Sequence, residues 1–200
     1  MLCKPSFHPR PQSTGFYAHS IKSLCGHYHR RCLVKFECCD LYFSCHRCHN
    51  ESDRCETTDS MGADATHLKC TVCEYEGEIT EGSQICPECN ERMSDYFCAK
   101  CKLFTGTVMN PFHCDKCGIC RIHEDKSYHC DVCNICMDKG LKGHHKCRPD
   151  SGHDECAICL EDVFSGCQIL PCSHKVHNQC VDAMIENGVT SCPVCRYSFE

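Results

Sequence analysis

Residues 113–136 read HCDKCGIC-RIHEDKSY-HCDVCNIC. The block His113-Cys114-x2-Cys117-x2-Cys120 returns sixteen residues later as His129-Cys130-x2-Cys133-x2-Cys136. Two cysteines three residues apart in a tight turn present both sulfurs to one side, the arrangement that shares a tetrahedral Zn²⁺. Sixteen residues are too few for an independent domain. The repeat therefore predicts a spiral whose rungs share metals, each incomplete without its neighbour. Adjacent residues of an extended segment face opposite ways, so His113 and Cys114 are expected to serve different ions. Cys98-x2-Cys101 precedes the repeat and His145-x-Cys147 follows it. The expected sets are Cys98, Cys101, Cys114 and Cys117; His113, Cys120, Cys130 and Cys133; and His129, Cys136, His145 and Cys147, with His144 as the rival of His145.

The pattern extends outward in both directions. Residues 70–89 contain Cys70-x2-Cys73-x12-Cys86-x2-Cys89, two knuckles facing one another as in a zinc ribbon. Upstream lie Cys25-x-His27, the doublet Cys38-Cys39, Cys45-x2-Cys48-His49 and Cys55, with a preferred split into Cys25/His27/Cys45/Cys48 and Cys38/Cys39/His49/Cys55. Residues 56–69 are small and polar and read as a loop. Downstream, Cys156-x2-Cys159-x12-Cys172-x-His174-x2-His177-x2-Cys180-x11-Cys192-Pro193-x-Cys195 supplies eight more ligands. The apolar positions 181, 184 and 185 predict a short amphipathic helix that ends at Gly188.

Composition agrees that metal replaces a conventional core. Of 200 residues, 28 are cysteine and 15 histidine, and none is tryptophan. Leu, Ile, Val and Phe make up 36 residues, below the roughly 20% typical of folded chains, and folds without a core need disulfides or metals. The N-terminus has no apolar segment of a secretory signal, and no apolar run approaches a membrane span. A reducing compartment, cytoplasm or nucleus, and zinc are expected rather than a disulfide framework. The ligands number 32, from 25 cysteines and seven histidines, which predicts eight Zn²⁺; Cys3, Cys32 and Cys167 are left over. The formal charge is −6 and falls entirely within residues 150–200. Each thiolate removes one unit and each Zn²⁺ adds two, so 25 thiolates and eight ions take −6 to −15. No basic footprint marks nucleic acid as the main partner, and no membrane partner is expected.

Cys25-x-His27-Tyr28-x-Arg30, Cys38-Cys39-Asp40 and Cys48-His49 resemble the CHY zinc finger. The doubled H-C-x2-C-x2-C with its flanks resembles the CTCHY zinc finger, and the C3-H2-C3 order of residues 156–195 resembles the RING-H2 finger. Together, over about residues 25–196, they resemble the RING finger and CHY zinc finger domain-containing ubiquitin ligases. The resemblance implies a small, metal-rich fold with little regular secondary structure: irregular tandem zinc-binding modules (CHY finger, ribbon, CTCHY spiral), then a cross-brace RING. The expected organisation is a tail (1–24), CHY finger with ribbon (25–92), CTCHY finger (93–148), linker (149–155), RING-H2 (156–196) and a C-terminal tail (197–200). Cross-bracing pairs Cys156, Cys159, His177 and Cys180 on one ion, and Cys172, His174, Cys192 and Cys195 on the other. The implied activity is that of an E3 binding a ubiquitin-charged E2 through Ile158, Met184 and Pro193, with Arg196 as a linchpin between E2 and ubiquitin. Leu170, Pro171 and Ile185 are assigned to the core, and the N-terminal zinc array to an unidentified protein substrate. Two departures stand out: Cys55 sits where the family usually has His, and loop 74–85 is longer. Relatives usually continue past the RING into a small zinc-ribbon-like domain that helps bind substrates, and this sequence ends at Glu200. A non-catalytic zinc-finger adaptor is the alternative, and a redox or metal sensor the third reading.

Overall fold

The computed structural model describes residues 24–164 and 166–199. The expected N-terminal tail, apart from Leu24, and Cys3 lie outside them. The chain divides into two compact units at Glu124/Asp125.

In the first unit, CLVKF forms β1 (Cys32–Phe36). Its period of two buries Cys32, Val34 and Phe36 and leaves Leu33 and Lys35 half-buried. With β2 (Tyr42–Phe43), β3 (Ala65–Cys70) and β4 (Glu76–Glu78) it makes an antiparallel sheet of order β2-β1-β3-β4. The expected loop over 56–69 is thus corrected, because it ends in a strand beside β1. Ala65, Leu68 and Cys70 point inward, while half-buried Lys69 and exposed Glu76 pair across the strands at 3.0 Å. Composition hid this strand because its solvent face is charged and only three positions bury. The core under the sheet is Cys32, Val34, Phe36, Phe43, Ala65, Leu68, Cys70, Cys86, Met93 and Phe104. Cys32 is fully buried, and burial pushes its thiol up to about 12, as expected of a packing cysteine. The short helix α1 (His46–Asn50) is capped by the Cys45 sulfur, which accepts from the Cys48 N–H.

The sixteen-residue repeat has an earlier, disguised copy. Hairpin β5/β6 (Tyr96–Cys98, Leu103–Thr105) precedes β7/β8 (Phe112–Cys114, Ile119–Arg121). In β7/β8, His113 lies directly across from Cys120. In β5/β6 the same positions are Phe97 and Phe104, whose rings stack at 4.5 Å. No knuckle precedes this rung at the same spacing, so its ligand pair is replaced by an aromatic pair. Phe104, fully buried, anchors the array in the sheet's core, the role of a capping repeat.

The second unit begins with the third hairpin, β9/β10 (Ser127–Cys130, Ile135–Asp138), in which His129 again faces Cys136. Hairpin β11/β12 (Cys167–Ile169, Lys175–His177) and helix α2 (Asn178–Glu186) follow. Gly188, at φ 72°, stops the helix in the left-handed conformation that suits glycine. One small core holds Cys156, Val163, Leu170, Val176 and Cys192; another holds Cys130, Cys133, Ile135 and Met137. Residues 197–199, expected as a tail, fold back: Phe199 packs on the first of these cores and its N–H donates to the Thr190 carbonyl at 2.8 Å.

Candidate metal centres

Among the described residues, seven complete four-ligand sets form within the two units. In the first unit they are Cys25/His27/Cys45/Cys48, Cys38/Cys39/His49/Cys55, Cys70/Cys73/Cys86/Cys89 and Cys98/Cys101/His113/Cys120, the ligand atoms of each set lying within 4.8 Å of one another. In the second unit, Cys130 and Cys147 approach His145 Nε2 at 3.4 and 3.1 Å, with Cys133 hydrogen-bonded to both His145 and Cys147. Cys159 lies 3.1 Å from His177 Nδ1, with Cys180 bonded to Cys156 and Cys159. Cys172 lies 3.4 Å from His174 Nδ1 and is bonded to Cys192 and Cys195. The last two sets interleave along the chain as a cross-brace.

These dimensions fit zinc. With Zn–S of 2.3 Å and tetrahedral angles, sulfurs on one ion stand about 3.8 Å apart, and sulfur and imidazole nitrogen about 3.6 Å. The observed S···S separations include 3.9 Å for Cys25–Cys45, 3.8 Å for Cys70–Cys89 and 3.5 Å for Cys73–Cys86. The observed S···N separations include 3.4 Å for Cys45–His27 and 3.3 Å for Cys101–His113. Thiols this close cannot all ionise without a cation. Burial pushes Cys156 up, but backbone N–H groups of Cys159, His177 and Ile158 bring it down to about 6. Cys180 in the same set is driven up to about 12 by burial and by its neighbours Cys156 and Cys159. A divalent cation removes that conflict.

The backbone is shaped for the same purpose. In seven of the Cys-x2-Cys knuckles the residue after the second cysteine is left-handed: Glu74, Asn90, Lys102, Gly118, Asn134, Leu160 and Arg196, with φ from 47° to 71°, whereas Cys45-x2-Cys48 sits at the start of helix α1. In six of the seven its N–H donates to the first cysteine's carbonyl, at 2.8–3.1 Å. This turn aims free N–H groups at sulfur, as from Cys101 to Cys98 Sγ at 3.5 Å and Val194 to Cys192 Sγ at 3.4 Å.

The histidines are held by second partners that fix their ligating nitrogen. His49 offers Nε2 to Cys38 at 3.2 Å while Nδ1 meets Asn50 Oδ1 at 2.8 Å, and Asn50 Nδ2 in turn donates to the Ser60 carbonyl. His145 bonds the Leu141 carbonyl through Nδ1 at 2.7 Å, and His177 bonds the Asp162 carbonyl through Nε2 at 3.0 Å. Tyr96 Oη lies 3.5 Å from Cys120 Sγ. Nothing in the motifs marked Asn50 or Tyr96 for these roles.

The structure corrects the pairing expected in the repeat. His113 and Cys114 do serve different sets. His113 and Cys120 join the preceding knuckle, Cys98/Cys101, and not the following Cys130/Cys133. Cys130 and Cys133 take His145 and Cys147 instead. The cause is register: His113 and Cys120 are cross-strand partners and share one face of their hairpin, and that face looks back toward the earlier rung. Cys114/Cys117 in the first unit and His129/Cys136 in the second are each half a tetrahedral set. His144 is exposed, and the place beside Cys130 and Cys147 is taken by His145.

On the surface of the second unit, Ile158 is 41% exposed, and Pro193 and Arg196 are exposed. Met184 turns inward at 8%, whereas Ile185 stands out at 52%, and Pro171 is exposed. The expectation of Ile185 and Pro171 as core residues is therefore corrected; Leu170 alone of the three is buried. On a nine-residue helix the apolar stripe 181/184/185 spans wide enough to leave one member outside.

Residues 25–96 match the CHY zinc finger family, and residues 154–196 match the Ring finger domain family. The chain carries a CHY zinc finger and a RING finger. Among similar proteins are a probable E3 ubiquitin-protein ligase RZFP34 of Oryza sativa subsp. japonica, 40% identical over 87% of this chain and 60% of the relative. The E3 ubiquitin-protein ligase SRFP1 of the same plant is 37% identical over 86% and 66%. The E3 ubiquitin-protein ligase RZFP34 of Arabidopsis thaliana is 36% identical over 87% and 62%. The chain thus spans about 60–66% of the length of these relatives. Its CHY finger includes the four-stranded sheet and three of the ligand sets, and its RING finger carries the cross-brace and the exposed Ile158, Pro193 and Arg196.

Proposed function

We propose that the protein is a RING-type E3 ubiquitin ligase, and that its N-terminal zinc array is the platform for a protein substrate. The observation that carries this is the cross-braced RING with an exposed apolar pair, Ile158 and Pro193, beside ligand sets that close completely. Closed Cys/His tetrahedra have no open coordination position, and a zinc-saturated cysteine is no nucleophile. Catalysis by such a module is positioning: it holds the E2~ubiquitin thioester in a conformation open to attack by a substrate lysine. Ile158 and Pro193 supply the apolar contact. On α2 that contact falls to Ile185, with Met184 supporting it from within. The acidity of residues 150–200 draws in a basic E2 face and raises the encounter rate. Zinc supplies the rigid frame, and the count of 32 ligands assigns eight ions. Zinc thiolates of this kind suit a reducing compartment, cytoplasm or nucleus.

Arg196 is the candidate linchpin. Its backbone is fixed in the left-handed turn after the last ligand, at φ 60°, and its side chain is exposed. A guanidinium with five donors suits bridging two protein backbones. Arg196→Ala is expected to lower discharge of ubiquitin from E2 to free lysine several-fold while zinc content and E2 affinity stay at wild-type values. Unchanged discharge would remove this role from Arg196. The activity itself is tested by autoubiquitination with purified E1, a broad E2 panel and ATP; failure with every E2 would leave the adaptor reading.

A further inference from the structure

Residues 149–155, expected as a linker, are packed. Ser151 is fully buried, and Gly152 is also buried. Gly152 lies so close to the third hairpin that a Cβ there would sit 2.6 Å from Ile135 Cβ and 2.7 Å from the Cys133 carbonyl. The Gly152 N–H donates to that carbonyl at 2.7 Å and the Asp150 N–H to the Val132 carbonyl at 2.9 Å. From the RING side, Phe164, Cys167 and Ile169 pack on the core formed by Cys130, Cys133, Ile135 and Met137. Ser173 Oγ accepts from the Lys146 N–H at 2.9 Å.

Lys175, on β12 of the RING, points into this junction. It is 4% exposed, and its Nζ donates to Ser151 Oγ at 2.6 Å. A lysine is almost never buried without a charge partner, and a serine hydroxyl carries no charge. The Ser151 side chain is hydrogen-bonded to Cys133, a member of the Cys130/Cys133/His145/Cys147 set. Three thiolates, one neutral imidazole and one Zn²⁺ leave a net charge of −1 in a partly buried place.

We propose that Lys175 is the counter-charge of the neighbouring zinc centre, acting through Ser151 on Cys133, and that the ligase module is the whole of residues 125–199 rather than the RING finger alone. Zinc in the last turn of the repeat and packing of the RING strand then support each other. That strand carries α2, and α2 carries Met184 and Ile185. The proposal goes beyond ligase activity, and its test needs no ubiquitin.

The experiment is cysteine alkylation of the zinc-loaded full chain under a mild chelator, mapped by peptide mass spectrometry. In Lys175→Met, which keeps the stem and removes the charge, Cys130, Cys133 and Cys147 should become alkylated at least several-fold faster than in wild type, ahead of Cys172, Cys192 and Cys195. Ser151→Ala, which leaves the packing intact, should accelerate the same three cysteines to a smaller degree. Alkylation of the RING cysteines first in Lys175→Met would make Lys175 a RING core residue only and overturn the proposal. Wild-type rates at all three cysteines in Ser151→Ala would overturn it as well.

Discussion

Stripping zinc with a strong chelator, without denaturant, should unfold the whole chain. Amide signals in a proton–nitrogen spectrum are expected to collapse to the narrow range of an unfolded polypeptide. The reason is magnitude. Structural zinc contributes roughly 10–16 kcal/mol per site in finger peptides, whereas a domain's total stability is about 5–15 kcal/mol. A fully buried Val, Leu, Ile, Phe or Met adds about 1.5–3 kcal/mol, and the largest core cluster here holds only seven non-cysteine side chains. The other three members of that cluster are Cys32, Cys70 and Cys86, and two of these are ligands. Removing the metal leaves a core whose walls are unligated thiols with no cation to hold them together. Dispersion retained after metal analysis shows zinc to be gone would contradict this.

The second large effect is at Ile158. Its side chain is 41% exposed and belongs to none of the buried clusters, so Ile158→Ala should leave zinc content and thermal unfolding unchanged. An apolar anchor at the centre of a small interface is commonly worth about 2 kcal/mol or more, which is more than tenfold in binding. Lysine discharge from E2~ubiquitin at subsaturating ligase is therefore expected to fall at least tenfold, and the autoubiquitination smear to vanish. A variant with wild-type discharge would place the E2 contact elsewhere. Ile185→Ala is the comparison that separates the outward residue of α2 from Met184, whose truncation would instead open the interior.

How much of this was legible follows from what the chemistry fixes. A knuckle is local: two cysteines three apart and a left-handed residue after them define it, so the ligands were readable from spacing. The split of the first eight donors was only a preference, because eight donors divide by fours in many ways and a Cys-Cys doublet can serve two ions; the fold selects Cys25/His27/Cys45/Cys48 and Cys38/Cys39/His49/Cys55. The partner of each knuckle in the spiral was not readable, because it depends on how hairpins stack. The cross-strand pair His113–Cys120 could serve the rung before or the rung after, and only the fold selects the one before. The capping hairpin was hidden because Phe97 and Phe104 stand where ligands would, which defeats a search by residue type. The strand at Ala65–Cys70 was hidden by its charged outer face. The close approach at Gly152 and the burial of Lys175 carry no local signature, since a polar DSGHDE segment ordinarily reads as solvated chain. These are tertiary facts, and they bear on where the proposed ligase module begins.

The central claim is that closed zinc sets stand in place of a hydrophobic core and together form the scaffold on which the RING acts. Native mass spectrometry of the full chain, purified in zinc and without chelator, tests it most directly. Eight bound Zn²⁺ is the result expected from 32 ligands in fours; six or fewer would contradict it.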